Sequence, residues 1–260
     1  IEQQTFEYFS SLKLPDTPTI YDYLVLSLRG KDLIASFNWD PFLLQAYRRN
    51  SGRGAASLPV IAFLHGNVSI GVCHTDKVCG LNGNRCSKCG VPFARSKLLY
   101  PVKQKDYSSD PFIASEWARL RDHLARAYFL TIFGYSAPKT DVEARRLMLE
   151  VWRDNHHLEL AEVEILDIKS RDELEKTWEE FFVKQHYMVG TEIFGSYLLQ
   201  HPRRSCDAFA AATLMCSPWH DNPFPKFGSL AGAQEWVGPL IEEETRLEEQ
   251  SEPFSGKPLA

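Results

Sequence analysis

Four short apolar runs, each ending at a polar or glycine-bearing cluster, set the frame for this chain. Leu33 to Phe37 leads into Asn38-Trp39-Asp40, Leu58 to Leu64 into His65-Gly66, and Tyr128 to Phe133 into Gly134-Tyr135-Ser136, while Val163 to Asp167 forms the fourth. Short, continuously apolar runs read as strands buried on both faces, which is how parallel sheets are written in sequence. Helical patterns separate them: 19–28, with Ile20, Leu24 and Leu28 on one face, then about 41–49, 109–126, 141–152 and 171–186. Asp40-Pro41 and Asp110-Pro111 are start signals, a capping carboxylate followed by a ring already set to helical φ. This alternation predicts an α/β fold, a parallel sheet with helices on both faces. In such sheets ligand chemistry gathers beyond the carboxyl ends of the strands, where the polar clusters fall.

The stretch from 67 to 101 breaks the alternation. It carries Cys73, Cys79, Cys86 and Cys89 among Gly, Asn and Lys residues, with strands expected at 69–72 and 98–102. Cys86-Ser87-Lys88-Cys89-Gly90 has the form of a knuckle whose two thiolates fold around one tetrahedral zinc, the glycine relieving the turn. The first pair is less regular, with five residues between Cys73 and Cys79 and His74 as a spare ligand. Spacing leaves three readings, a structural zinc site, redox-active thiols or core cysteines, and the zinc site fits the residues best. Four thiolates leave no open position for water, so the role would be structural.

From about Met188 the strands are expected to stop and three helical patches to follow, at 192–199, 205–216 and 230–243. The organisation is therefore read as 1–66, the first part of the sheet domain; 67–101, an inserted zinc module; 102–187, the rest of the sheet domain; and 188–260, a helical appendage. Trp219, Phe224, Phe227 and Trp236 are possible anchors for a partner there.

Composition excludes several classes. With 44% apolar and 24% charged residues and a net charge of −5, the chain has the makeup of a globular domain and no bulk basic field for nucleic acid. Pro202-Arg203-Arg204 is the one local basic patch considered. No apolar run approaches the roughly 18 residues that span a bilayer. Six cysteines, four of them crowded together, suit metal ligation in a reducing cytoplasm better than a secreted disulfide framework.

His65, at a strand end before glycine, has the placement of a general base, and equally of a residue that caps a carbonyl. Asn38 and Asp40 carry the same two readings, since both are common turn and cap residues. Gly134-Tyr135-Ser136 could bring backbone and hydroxyl against a ribose or phosphate, or simply turn the chain.

Taken in order, Asn38-Trp39-Asp40, Leu64-His65-Gly66, the cysteine insert and Phe133-Gly134-Tyr135-Ser136 followed by Asp141 resemble the sirtuin superfamily, specifically its divergent bacterial SIR2-like domains, over residues 19–185. The resemblance implies a Rossmann-like NAD domain, a zinc module and chemistry at C1 of the nicotinamide ribose. It implies His65 as base near the ribose hydroxyls and Asn38 and Asp40 around the nicotinamide and ribose. Phe37, Gly134, Tyr135, Ser136 and Asp167 would then lie against NAD. The cysteine spacing departs from the two-pair arrangement of deacylating sirtuins, and the glycine-rich first strand, loop and helix is not found in the chain. An upstream unit is therefore expected before Ile1. The resemblance also implies NAD hydrolysis in anti-phage defence, with protein deacylation or a non-catalytic scaffold as alternatives, and a homo-oligomer or a defence partner.

Overall fold

All four apolar runs become strands in the computed structural model, which describes residues 2–52, 58–100, 106–135, 141–184, 186–214 and 222–250. The expected elements appear as α2 (Ile20–Ser27), β1 (Leu33–Ser36), α3 (Phe42–Asn50), β2 (Val60–Phe63), α4 (Pro111–Leu124), β6 (Phe129–Phe133), α5 (Val142–Arg153), β7 (Glu162–Leu166) and α6 (Arg171–Trp178), after an opening helix α1 (Glu2–Ser11). β1 pairs with β2 in parallel, and β6, β7 and β8 (Tyr187–Gly190) form a second parallel set in the order β6-β7-β8. The start signals work as read at α4, where Asp110 Oδ1 accepts from the Phe112 and Ile113 N–H groups at 3.0 Å. At α5 Asp141 makes no capping bond to the helix and instead accepts from the Tyr135 hydroxyl.

Four expectations are corrected. The strands do not stop near Met188, because β8 contains it and closes the edge of β7. The helical pattern expected through 186 ends at Trp178 in a short 3₁₀ turn, Glu179–Phe181, and Lys184 at φ 56° turns the chain into β8. A four-residue strand directly after a helix leaves too few alternations to be read. In the insert, residues 98–100 are not strand, and β3 (Ile70–Cys73) instead pairs antiparallel with β4 (Val78–Leu81) and β5 (Ala94–Arg95). Finally, the polar clusters were assigned to the edge of one continuous sheet, whereas β1-β2 and β6-β7-β8 are separate hydrogen-bonded sets.

Side-chain packing joins the two sets. Val25 of α2, Leu43 and Ala46 of α3, Ala62 and Phe63 of β2, Ile113 and Trp117 of α4 and Ala144 of α5 form one core. Trp152, Val163, Ile165, Leu174 and Trp178 form another, and Met148 of α5 packs against both. The C-terminal helices α7 (Tyr197–Gln200), α8 (Ser205–Leu214) and α9 (Leu230–Gln250) follow β8, and Ala233 and Val237 of α9 pack with Tyr23 and Leu26 of α2.

Candidate functional site

His65 leaves β2 through a turn that only glycine can complete. Gly66 has φ 79°, and a Cβ placed there would lie 1.9 Å from the Lys97 carbonyl oxygen, so the backbone after His65 lies directly against the segment that leaves the insert after β5. Leu99 N–H donates to the His65 carbonyl at 2.9 Å, and fully buried Asn67 donates through Nδ2 to the Asp40 carbonyl at 2.6 Å while accepting from Ser69 N–H. His65 is buried, and its Nε2 lies 3.3 Å from the Tyr107 hydroxyl.

An aromatic cluster surrounds this imidazole. Phe37, directly after β1, meets the His65 ring edge-on at 4.8 Å and stacks face to face on Tyr135 at 4.1 Å and 8°. Tyr135, directly after β6, donates its hydroxyl to Asp141 at 3.2 Å. Trp117 of α4 packs on Tyr107 and donates its indole N–H to the Leu64 carbonyl at 3.0 Å. Burial holds both the Tyr107 and Tyr135 hydroxyls far above the usual phenol range, so both are neutral donors at every physiological pH. Phe37, His65 and Tyr135, three residues read from sequence, are thus brought together by the carboxyl ends of β1, β2 and β6.

Other expected residues are used differently. Asn38 donates its backbone N–H to Ser36 Oγ and its side chain hydrogen-bonds Tyr21. Asp40 accepts from Phe42 N–H at 3.0 Å, the helix-start role, and burial pushes its carboxyl upward. Asp167 follows β7, where its carboxylate accepts from Lys169 N–H. Gly134, at φ 62° after β6, has nothing within 4 Å of where a Cβ would stand. Beside it Phe133 is 41% exposed and Ile168, beyond β7, 95% exposed. Among the described residues, the carboxyl end of β6 and β7 is therefore an open, partly apolar ledge. Ser136 and Trp219 lie outside the described residues.

A second cluster lies in the insert. Ligand atoms of Cys73, Asp76, Cys86 and Cys89 all fall within 4.8 Å of one another, with Cys73 Sγ 3.6 Å from Cys89 Sγ and Cys86 Sγ 3.1 Å from Asp76 Oδ2. These separations suit the corners of a tetrahedron around a zinc-sized ion. Beside the Asp76 carboxylate the Cys89 thiol is pushed up to about 12. The Cys73 thiol and the Asp76 carboxyl are lowered by the hydrogen bonds they accept, and a divalent ion at this position would favour the thiolate form of its cysteine ligands. Cys79 is not among them. It stands opposite Val72 in the β3-β4 ladder while Cys73 stands opposite Val78, so the pleat turns Cys79 to the other face. Asp76 takes the fourth corner from the turn between the strands.

Sequence reasoning missed Asp76, Tyr107, Trp117 and Glu116. Trp117 was legible as part of an apolar helix face, and its position against Leu64 was not. Two cavities, of about 350 Å³ beside Arg146, Glu150 and Arg153 and about 510 Å³ beside Lys13, Gln45 and Arg48, lie on other surfaces.

No protein-family model and no curated protein matches the chain. Among solved structures it is similar to one from work on the structural basis of sirtuin substrate affinity, at 12% identity and TM-score 0.41, over 73% of this chain and 70% of that chain. It is similar to Sir2 in complex with the inhibitor EX-527, 2'-O-acetyl-ADP-ribose and deacetylated p53 peptide, at 11% identity and TM-score 0.39, covering 94% and 80% of the two chains. A Sir2 homolog–NAD complex follows at 9% identity and TM-score 0.40, covering 95% and 73%.

Proposed function

We propose that this chain is an NAD-consuming enzyme acting at the bond between nicotinamide and ribose, with His65 as its base. The observation that carries the reading is the convergence of His65, Phe37 and Tyr135 at the ends of three different strands, next to the open ledge at Gly134. A dinucleotide in a sheet of this class lies across the carboxyl ends of the strands. Bound there, NAD would supply a glycosidic bond whose nicotinamide is a good leaving group. Gly134 would let the backbone approach it closely, and Asp167 beyond β7 would face ribose hydroxyls. The buried imidazole of His65 would take a proton from a ribose hydroxyl or from water. Asn38 and Asp40 sit at the rim through their own turn and would orient the nicotinamide end. Zinc at Cys73, Asp76, Cys86 and Cys89 would fasten the insert, whose exit segment at Lys97 packs on Gly66, and so hold His65 in place.

The bond broken is the same whether water or an acylated lysine is the acceptor. Incubation of the protein with NAD, with and without an acyl-lysine peptide, followed by mass detection of nicotinamide, ADP-ribose and O-acyl-ADP-ribose reads both outcomes. ADP-ribose without peptide identifies a glycohydrolase, as expected of a defence enzyme; O-acyl-ADP-ribose identifies a deacylase. A His65→Ala protein should lose roughly 10²- to 10⁴-fold in turnover. Absence of nicotinamide release and of NAD binding by the folded wild type would reject the enzyme reading and leave a scaffold.

A further inference from the structure

Tyr107 has the better-built position of the two members of its hydrogen bond. Asp106 Oδ1 accepts from Ser108 N–H at 2.9 Å, from Ser108 Oγ at 3.0 Å and from Ser109 N–H at 2.9 Å, and Asp110 then caps α4, so the backbone on the C-terminal side of Tyr107 is fixed over four residues. The ring rests on Trp117 with centroids 4.6 Å apart, and the indole of Trp117 is tied to the Leu64 carbonyl, one residue before His65. One tryptophan therefore grips both the strand end that carries His65 and the tyrosine that faces it. The two rings lie nearly parallel, at 15°, and both residues are less than 10% exposed.

We infer that Tyr107 is the positioning residue of the His65 base, its hydroxyl donating to Nε2 and thereby keeping the imidazole neutral with its proton on Nδ1. The argument is one of satisfaction. A buried hydroxyl that donates to nothing costs about 1–3 kcal/mol. The acceptor in reach is His65 Nε2 at 3.3 Å. An imidazole nitrogen accepts only when it carries no proton, so the contact selects one of two neutral tautomers and opposes the imidazolium. The surroundings agree, since Phe37 covers another side of the ring edge-on. Of the acidic groups on neighbouring elements, Glu116 pairs with Arg119, Glu143 with Arg146 and Asp141 accepts from Tyr135, and the Glu143 charge also acts on the Tyr107 hydroxyl, favouring its protonated, donating form. The lone pair at Nε2 is then the basic site, held by a neutral donor that an incoming substrate hydroxyl can replace. Nothing in the sequence marks Tyr107, which lies in a loop without periodicity.

The role in turnover rests on the NAD reading; the tautomer does not. The test is two-bond ¹H–¹⁵N correlation on the full chain with ¹⁵N-labelled histidine, His65 being assigned by its loss in His65→Gln. Wild type should show His65 as the Nδ1–H tautomer from pH 6 to 8. Tyr107→Phe, which keeps the ring and its packing on Trp117, should redistribute the proton toward Nε2–H and raise the pH at which His65 protonates. If the protein cleaves NAD, Tyr107→Phe should lower kcat by roughly 10-fold, the rate equivalent of one neutral hydrogen bond. KM should hardly change and the acid limb of the pH profile should move upward. A wild-type Nε2–H tautomer, or a tautomer and protonation unchanged in Tyr107→Phe, overturns the inference. A chain that never cleaves NAD but shows the expected shift rejects the NAD reading alone.

Discussion

Cys79 and Asp76 show how one residue of strand register decides a ligand set. The spacing made Cys79 the natural companion of Cys73, but opposite members of an antiparallel ladder share a face and their neighbours do not. Cys79 faces away and the turn offers Asp76 instead. Cys79→Ser should retain the metal, and Cys86→Ser should lose it together with solubility, both read by elemental analysis of purified protein. Equal loss in the two variants would restore the four-thiolate reading. A second residue-scale feature was invisible in the sequence. Glu164, in the middle of β7, is fully buried, accepts from Thr131 Oγ1 and from Tyr197 N–H, and is nevertheless pushed up to about 7 by burial. Its neighbour Glu162 on the same face is pushed up likewise. A carboxyl raised in the folded state stabilises most below its unfolded value of about 4.5, and that contribution is lost as pH climbs through about 7. Denaturant titrations should therefore show stability falling between pH 5 and 8. Glu164→Gln should flatten the fall by roughly 3 kcal/mol, because an amide stays neutral throughout. A wild-type profile that rises over this range would show that the carboxylates are ionised and paired.

Strand edges carry the next level of information. Val60 N–H donates to Asp32 and Leu64 N–H to Ser36, so alternate residues of β1 turn their backbone groups to β2, leaving those of Leu33 and Ala35 on the opposite edge. In β6, Glu162 N–H donates to Tyr128, and Gly134 N–H donates to Leu166, which leaves Phe129, Thr131 and Phe133 on the edge away from β7. The outer edge of β2 is managed otherwise: Glu116 accepts from Phe63 N–H at 2.7 Å and Arg119 donates to the Ile61 carbonyl at 3.0 Å. β2 is thus sealed by side chains, whereas among the described residues nothing pairs with the edges of β1 and β6, which could template a parallel strand. Amide exchange of the 260-residue chain should alternate, fast at Leu33, Ala35, Phe129, Thr131 and Phe133 and slow at Ile34, Leu130 and Ile132. Uniformly slow exchange would mean that these edges are paired in solution. The sequence disclosed the strands and their direction because continuous apolar runs report burial on both faces. It could not disclose which edge is occupied, because backbone pairing leaves no mark on side-chain type. For the same reason His65, Phe37 and Tyr135 were legible at strand ends, while Tyr107, reached through a loop, was not.

At the scale of the whole molecule, the acidic run Glu242-Glu243-Glu244 of the C-terminal helix has a structural use. Arg203, fully buried at φ 62°, meets Glu244 of α9 through two guanidinium nitrogens at 2.8 and 2.7 Å and donates to the Leu28 carbonyl beyond α2 at 2.9 Å. Arg204 and Arg29 reach the same carboxylate at 3.0 and 3.4 Å. One acidic side chain thus gathers three cations from the segments that follow α2 and α7. Higher on α9, Gln234 donates to the Arg49 carbonyl and Asn50 Oδ1, and Asn50 in turn donates to Asp22, which also binds Arg49. Polar contacts at both ends of its apolar face bind α9 to α2 and α3 and, through them, to the strands that carry His65. Truncating the carboxylate partner of the fully buried Arg203 costs about 3–5 kcal/mol, while the partly exposed Arg204 and Arg29 keep Glu243 and Glu248. Glu244→Ala should therefore lower the unfolding midpoint of the entire protein in a single calorimetric transition, whereas Glu242→Ala, at an exposed position of the same helix, should leave it near wild type. A separate low-temperature transition in Glu244→Ala, with the remaining signal unchanged, would show instead that α9 folds on the sheet as an independent appendage.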